Sequence, residues 1–351
     1  MSKVFKQQTH KESVGIGKYT TPTRIVHSAN QPSVFEHEGV AVKSSCLGCM
    51  NPLCMKFASE ELTLMDERLS DFPVDADDSV CPLDAIVWER GFQTPSIIAD
   101  RCINCGICAR RCPAGAIYSN GNCAVIHTGE SNVGFLPVTD ENVGKHTAQI
   151  NAFLRCRHEG EFVKPNEKSI ATLYSKLNEQ QTKSQFPNLI IRNLFLVLGN
   201  QCIIRRKGDI YFRIDAILAD KHVIGVAEVE FNKDSLESPR AILDDIAVLV
   251  SRYEIDKVQI KPFIIFLEFP NIRTEYWRVI KDIRDVLGVQ INSLSLGALC
   301  ILVWQFVFAP IDKVDFYADI DSSSIKSAVE KACGDLRIAD ISNYAVLEPK
   351  K

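Results

Sequence analysis

Cys102-Ile-Asn-Cys105-Gly-Ile-Cys108-Ala-Arg-Arg-Cys112-Pro113 decides how the first third of this chain is read. Its spacing is C-x2-C-x2-C-x3-C-P: three closely spaced cysteines, then a fourth that proline follows. A looser copy lies upstream, Cys46-x2-Cys49-x4-Cys54, then a gap of 26 residues, then Cys81-Pro82. Both copies end alike, CPLDAI at 81–86 and CPAGAI at 112–117. Eight buried or zinc-binding cysteines would satisfy the count. They would not account for a repeated ending in which Ala-Ile follows Cys-Pro after two residues.

The second run is the bacterial spacing for ligating iron–sulfur clusters, and residues 46–127 resemble a two-[4Fe-4S] bacterial ferredoxin. In that family the fourth cysteine of each run ligates the other cluster. The resemblance therefore implies one cluster on Cys46, Cys49, Cys54 and Cys112, and another on Cys81, Cys102, Cys105 and Cys108. Pro82 and Pro113 fix φ after the crossing ligand and remove a donor that would need a partner. The first run departs from the family by two extra residues before Cys54 and by the insertion 55–80. That insertion is acidic, with Glu60, Glu61, Asp66, Glu67, Asp71, Asp75, Asp77 and Asp78 against Lys56 and Arg68, and reads as a mobile loop.

The chain has 351 residues, enough for two or three domains, and its 46% apolar content allows sizeable cores. Of thirteen cysteines, five lie outside the two runs and read as free thiols. Ligand and unpaired cysteines together point to a reducing, cytoplasmic setting. The N-terminus has no apolar core of the signal-peptide kind. No run of about 18 apolar residues suggests a membrane span, and the richest one, Leu299–Pro310, reads as a buried strand. A net charge of −4 argues against wholesale coating of nucleic acid. The division is a lead-in at 1–45, the cluster module at 46–127, a connecting helical region at 128–186 with a helix over Lys168–Gln181, and an α/β domain at 187–351.

The order in that last domain is α-β-β-β-α-β. Ile191, Leu194, Phe195 and Leu198 recur at helical spacing over Asn188–Leu198, with Gly199 as a stop. Gln201–Arg206, Ile210–Leu218 and Val223–Phe231 read as strands. Ser238-Pro239 opens a helix with Ile242, Ile246, Leu249, Val250 and Tyr253 on its apolar face. An almost wholly apolar strand, Pro262–Phe269, follows. A helix at Glu275–Leu287, strands across Ile291–Phe308 and a helix near Ser324–Cys333 complete it.

Within this order, Asp215 stands among apolar neighbours on the second strand, and Glu228 and Glu230 share one face of the third. A two-residue loop Asp220-Lys221 places Asp215 opposite Val226 and Arg213 opposite Glu228, so that Asp215 and Glu228 share a face. The element order and the acids resemble the restriction-endonuclease-like, PD-(D/E)xK, nucleases. The fold class is thus an α+β ferredoxin-like module joined to an α/β restriction-endonuclease-like domain. The resemblance implies that Asp215 and Glu228 ligate Mg²⁺ against a scissile phosphate, with Glu230 as a further ligand or general base. Glu230 stands where the family usually has Lys, and Ile214 where it often has Pro; Lys233 supplies a displaced positive charge. The competing reading makes Glu228 and Glu230 a solvated sheet face.

Three function classes follow. One is an iron–sulfur protein with a Mg²⁺-dependent DNA endonuclease domain of restriction or defence type, the analogy resting on the fold. Another is an electron-transfer protein of ferredoxin type whose C-terminal domain binds a redox partner protein, with the acidic insertion docking a basic surface. A third is a DNA-binding adaptor with a degenerate site. Arg205-Arg206-Lys207 beside Arg213 reads as a solvated turn or a phosphate contact. Tyr276 and Trp277 read as core packing before base stacking.

Overall fold

The computed structural model describes residues 46, 51–64, 66–89, 94–112, 115–126, 162–220, 222–232, 236–321 and 324–350. The cysteine-rich part is built from two small antiparallel hairpins. Ile86–Glu89 (β1) pairs with Thr94–Ile97 (β2), and Ile117–Ser119 (β3) with Ala124–Ile126 (β4). The short helix Ile107–Arg111 (α1) lies between the hairpins in sequence and carries Cys108. Each hairpin leaves a Cys-Pro turn of the same design. Asp84 N–H donates to Cys81 O and Gly115 N–H to Cys112 O, with φ of 52° at Asp84 and 63° at Gly115. The repeated sequence ending therefore carries the same closing hydrogen bond and the same left-handed residue in both copies.

The remainder is a mixed α/β unit. Glu167–Glu179 (α2) and Phe186–Val197 (α3) precede a five-stranded sheet of Gln201–Ile204 (β5), Ala216–Asp220 (β6), Val223–Glu230 (β7), Ile260–Phe266 (β8) and Asn292–Ser295 (β9). The strands lie in sequence order; the pairs β5–β6 and β6–β7 are antiparallel, and β7–β8 and β8–β9 are parallel. Parallel neighbours need a crossover. Ser238–Tyr253 (α4) and Tyr276–Leu287 (α5) supply it, followed by Leu296–Trp304 (α6) and Ile325–Ala332 (α7). β8 is buried along most of its length, as expected for a strand covered on both faces.

Four sequence expectations need correction. Leu299–Pro310 is not a strand, because its first half belongs to α6. Ser295 caps that helix by accepting the Ala298 N–H at 3.0 Å, and the helix is buried on every side. An all-apolar run carries no periodicity that separates buried helix from buried strand. Ile210–Leu218 is strand only from Ala216. Ahead of it, Asp209 Oδ1 accepts the N–H groups of Tyr211 and Phe212 and draws the backbone into a turn. The hairpin closes on Asp220 paired with Val223, where Ala219 opposite His222 was expected. Extending that register sets Asp215 opposite Glu228 rather than Val226. The face shared by the two acids survives, because each strand shifts by one residue in the compensating sense.

The insertion 55–80 is not a free loop. Leu62, Leu69 and Phe72 are buried, Asp75 N–H donates to Ile204 O, and Val74 bridges to Arg205 at the edge of β5. A single buried core continues from Leu53 and Ile107 through α3 and α6 to Leu347. Tyr276 and Trp277 belong to it, packed edge-on against Phe266 and Phe269.

Candidate functional site

Cys81, Cys102, Cys105 and Cys108 line one cavity, together with Pro82, Ile103, Ile107 and Ala124. Backbone N–H groups point at the sulfurs. Ala85 N lies 3.3 Å from Cys81 Sγ, Ala124 N 3.3 Å from Cys102 Sγ, and Ala116 N 3.2 Å from Cys112 Sγ. The first and last of these are equivalent contacts of the two Cys-Pro turns. Burial pushes the Cys105 and Cys108 thiols well above their ordinary range, and neighbouring cysteines add to the shift. Four thiolates packed in such a place would need the positive charge of a bound metal to offset burial. No group of three or more His, Cys, Asp or Glu among the described residues is placed to hold a single metal ion. A cubane differs in this respect: each thiolate meets a different iron, so the sulfurs ring a cavity instead of converging.

The other four predicted ligands are less fully seen. Cys46 is half-buried, Cys54 and Cys112 are buried, and Cys49 lies outside the described residues. Arg111 draws Cys54 and Cys112 into one neighbourhood. Its guanidinium donates to Leu53 O at 2.7 Å and Lys56 O at 3.1 Å, flanking Cys54, and pairs with Glu61 at 2.8 Å. The Phe57 ring lies beneath it.

The α/β unit walls this region. Ile190 on α3 lines the cysteine cavity. Asn193 donates to Ser79 O and Val80 O, just before Cys81, and Trp304 Nε1 donates to Asn104 O at 2.9 Å. Gly106 adopts φ of 87°, and a Cβ there would meet Trp304 at 3.0 Å. Arg110 reaches Val197 O and lies over the Phe308 ring. The two arginines of α1 thus point apart, one to the first cysteine run and one to the α/β unit.

The second site lies across β6 and β7. Asp215 accepts the Val229 N–H at 3.2 Å and the Asn188 amide at 3.3 Å, and Arg205 stands 3.5 Å from it. Burial raises its pKa against these contacts. Glu228 is pushed up to about 8, first by burial and then by Asp215, Asp245 and Glu230. Asp245 on α4 is pushed up to about 7, again by burial first and then by Asp215. Sequence reading passed over Asp245 and Asn188. The signal for Asp245 was present: it lies between Ile242 and Leu249 on the buried stripe of an amphipathic helix, where an acid is out of place. It is 3% exposed, and its buried Oδ2 has no hydrogen-bond partner. Glu230 is half-buried and accepts the Asn232 N–H at 2.8 Å. Arg213 does not face Glu228; it stands 3.9 Å from Asp244 at the surface, because its segment leaves the sheet before β6. Lys233 lies outside the described residues.

Comparison with known proteins bears on the first site. The 4Fe-4S binding domain family matches residues 95–118. An uncharacterized ferredoxin of Methanocaldococcus jannaschii is 32% identical over 79 residues, which is 21% of this chain and 50% of that protein. This chain carries a ferredoxin-type 4Fe-4S module. The chain spans half the length of the curated relative it matches. No solved structure matches the chain. Among the described residues, no helix is long and apolar enough to cross a membrane.

Proposed function

We propose that the chain is an iron–sulfur protein with two [4Fe-4S] clusters whose α/β domain, 187–351, is a Mg²⁺-dependent DNA endonuclease. The observation that carries the second half is the meeting of Asp215 with β7 beside Glu228. The surrounding order α3-β5-β6-β7-α4-β8 is the α-β-β-β-α-β order on which the nuclease resemblance rests. Cys81, Cys102, Cys105 and Cys108 hold one cluster; Cys46, Cys49, Cys54 and Cys112 hold the other. Bound clusters supply one-electron exchange and rigid cross-links between the chain segments that ligate them.

Asp215 and Glu228 would hold the Mg²⁺, an ion that uses one or two carboxylates and keeps several waters. Bound there, it would supply Lewis-acid chemistry toward a phosphoryl oxygen and a water. The Val229 N–H and the Asn188 amide fix the Asp215 carboxylate. Arg205 holds positive charge beside it, where a phosphate approaches two half-buried acids. Glu230 takes the proton of the attacking water, and Lys233 follows it in the chain.

The test is cleavage of plasmid DNA and of circular single-stranded DNA by anaerobically purified protein with Mg²⁺ or Mn²⁺. The expected result is metal-dependent cleavage that Glu228→Gln abolishes while iron content stays unchanged. Absence of cleavage at either metal overturns the endonuclease reading. The electron-transfer reading has one observation in its favour, the exposed acids Glu60, Glu67 and Asp71, which suit a basic redox partner protein. Reduction of the clusters by such a partner, with no cleavage, would select it.

A further inference from the structure

The turn between β5 and β6 carries the most exposed pair of adjacent apolar side chains described, Ile210 at 82% and Tyr211 at 83%. Cations surround them. Arg206 and Arg213 are exposed, Lys207 is exposed, and the acids facing them are Asp209, 3.6 Å from Arg206, and Asp244, 3.9 Å from Arg213. The Asp209 side chain is 9% exposed, and one of its oxygens already accepts two backbone N–H groups. Outward-facing charge at this turn is therefore positive on balance, in a chain whose net charge is −4.

The turn is held in shape. Arg205 Nη1 donates to Asp209 O at 3.1 Å and to Phe212 O at 2.7 Å. The Phe212 ring packs edge-on to Phe72 at 5.6 Å, so Phe212 anchors inward while Ile210 and Tyr211 face out. The same Arg205 guanidinium stands 3.5 Å from Asp215. Tyr211 precedes Asp215 by four residues, so chain length alone keeps the two within about 14 Å.

We infer that the turn 206–213 is a docking surface for single-stranded DNA, with Tyr211 stacking on an unpaired base and Arg206, Lys207 and Arg213 meeting its phosphates. A flat aromatic ring beside cations is the arrangement that binds unpaired strands without reading their sequence. An ordered turn loses little freedom on binding. The inference rests on the endonuclease reading, for which it names the substrate form and the surface that feeds a strand to Asp215 and Glu228.

The experiment is fluorescence anisotropy of a fluorescein-labelled oligonucleotide, single-stranded or as its duplex, with the full-length anaerobic protein in EDTA. The single strand should bind more tightly than the duplex. Tyr211→Ala should weaken it about tenfold, and Tyr211→Phe should keep wild-type affinity. Lys207→Gln should lower the slope of log affinity against log salt by about 0.7. Unchanged cluster absorbance in each variant reports that it is folded. Wild-type affinity in both Tyr211→Ala and Lys207→Gln overturns the surface, as does tighter binding of the duplex. Retention of a protein partner through Tyr211, with no binding of DNA, also overturns it. Turn-dependent binding without metal-dependent cleavage keeps the surface and removes the endonuclease reading. Metal-dependent cleavage with binding indifferent to the turn does the reverse.

Discussion

The cysteine cavity and the carboxylate cluster pose the same electrostatic problem and assemble differently. In each, burial pushes ionisable ligands upward and like neighbours push further. The cysteine cavity draws three of its four sulfurs from seven consecutive residues and anchors them with N–H···S contacts. The carboxylate cluster draws Asp215, Glu228 and Asp245 from a turn, a strand and a helix, and only Asp215 is well supplied with donors. A site made from one stretch of chain is written in spacing. A site made from three elements depends on the register of a hairpin and the rotation of a helix.

The comparison breaks most visibly at a cysteine. Cys108→Ser should lower iron and sulfide by about half. Because Ile190 and Trp304 of the α/β unit wall the same region, the loss should also lower the thermal stability of the whole chain. Cluster absorbance and far-ultraviolet signal should melt together in the wild-type protein. Separate transitions would show that the two regions are not one cooperative unit.

Arg111→Ala comes next. It removes a buried cation and leaves Glu61 and two carbonyl oxygens without their donor. Breaking a buried pair from one side costs about 3 kcal/mol or more. Denaturant unfolding should register that loss, and of the two proposed clusters the one on Cys54 should become the more oxygen-labile. Unchanged stability would mean that the contact to the first run holds nothing.

The smallest effect belongs to the acids. Glu228, pushed up to about 8, and Asp245, pushed up to about 7, keep protons that the unfolded chain releases near pH 4. The folded state therefore binds more protons over that interval, and metal-free stability should fall as pH rises from about 4 to about 8. Asp245→Asn should flatten the fall and stabilise the metal-free protein at pH 8 by about 1 kcal/mol. Stability that rises with pH over the same interval would contradict the burial of both acids.

Much of this was legible in the residues. The repeated CP-x2-AI ending marked two copies of one unit, and both copies carry a left-handed residue at the same place, Asp84 and Gly115. The order of helices and strands from Asn188 to Leu287 was readable from apolar spacing and from the Gly199 and Pro239 signals. The α6 helix was not, since a run buried on all sides has no pattern to read. The turn at 209–212 was hidden because its cause, a side-chain carboxylate competing for backbone N–H groups, leaves the alternation of Ile210, Phe212 and Ile214 intact. Asp245 broke the apolar stripe of α4, yet only the register of β7 beneath it turns that anomaly toward Glu228.

The proposed chemistry of the α/β domain turns on Asp215 and Glu228 holding a divalent cation in a chain that also carries a 4Fe-4S module. Titration calorimetry of Mn²⁺ into the anaerobic, cluster-loaded protein at pH 8 tests it most directly. The wild-type chain should bind saturably and Glu228→Gln should not, with iron content equal in the two. Equal Mn²⁺ binding by both proteins, or binding by neither, would contradict it.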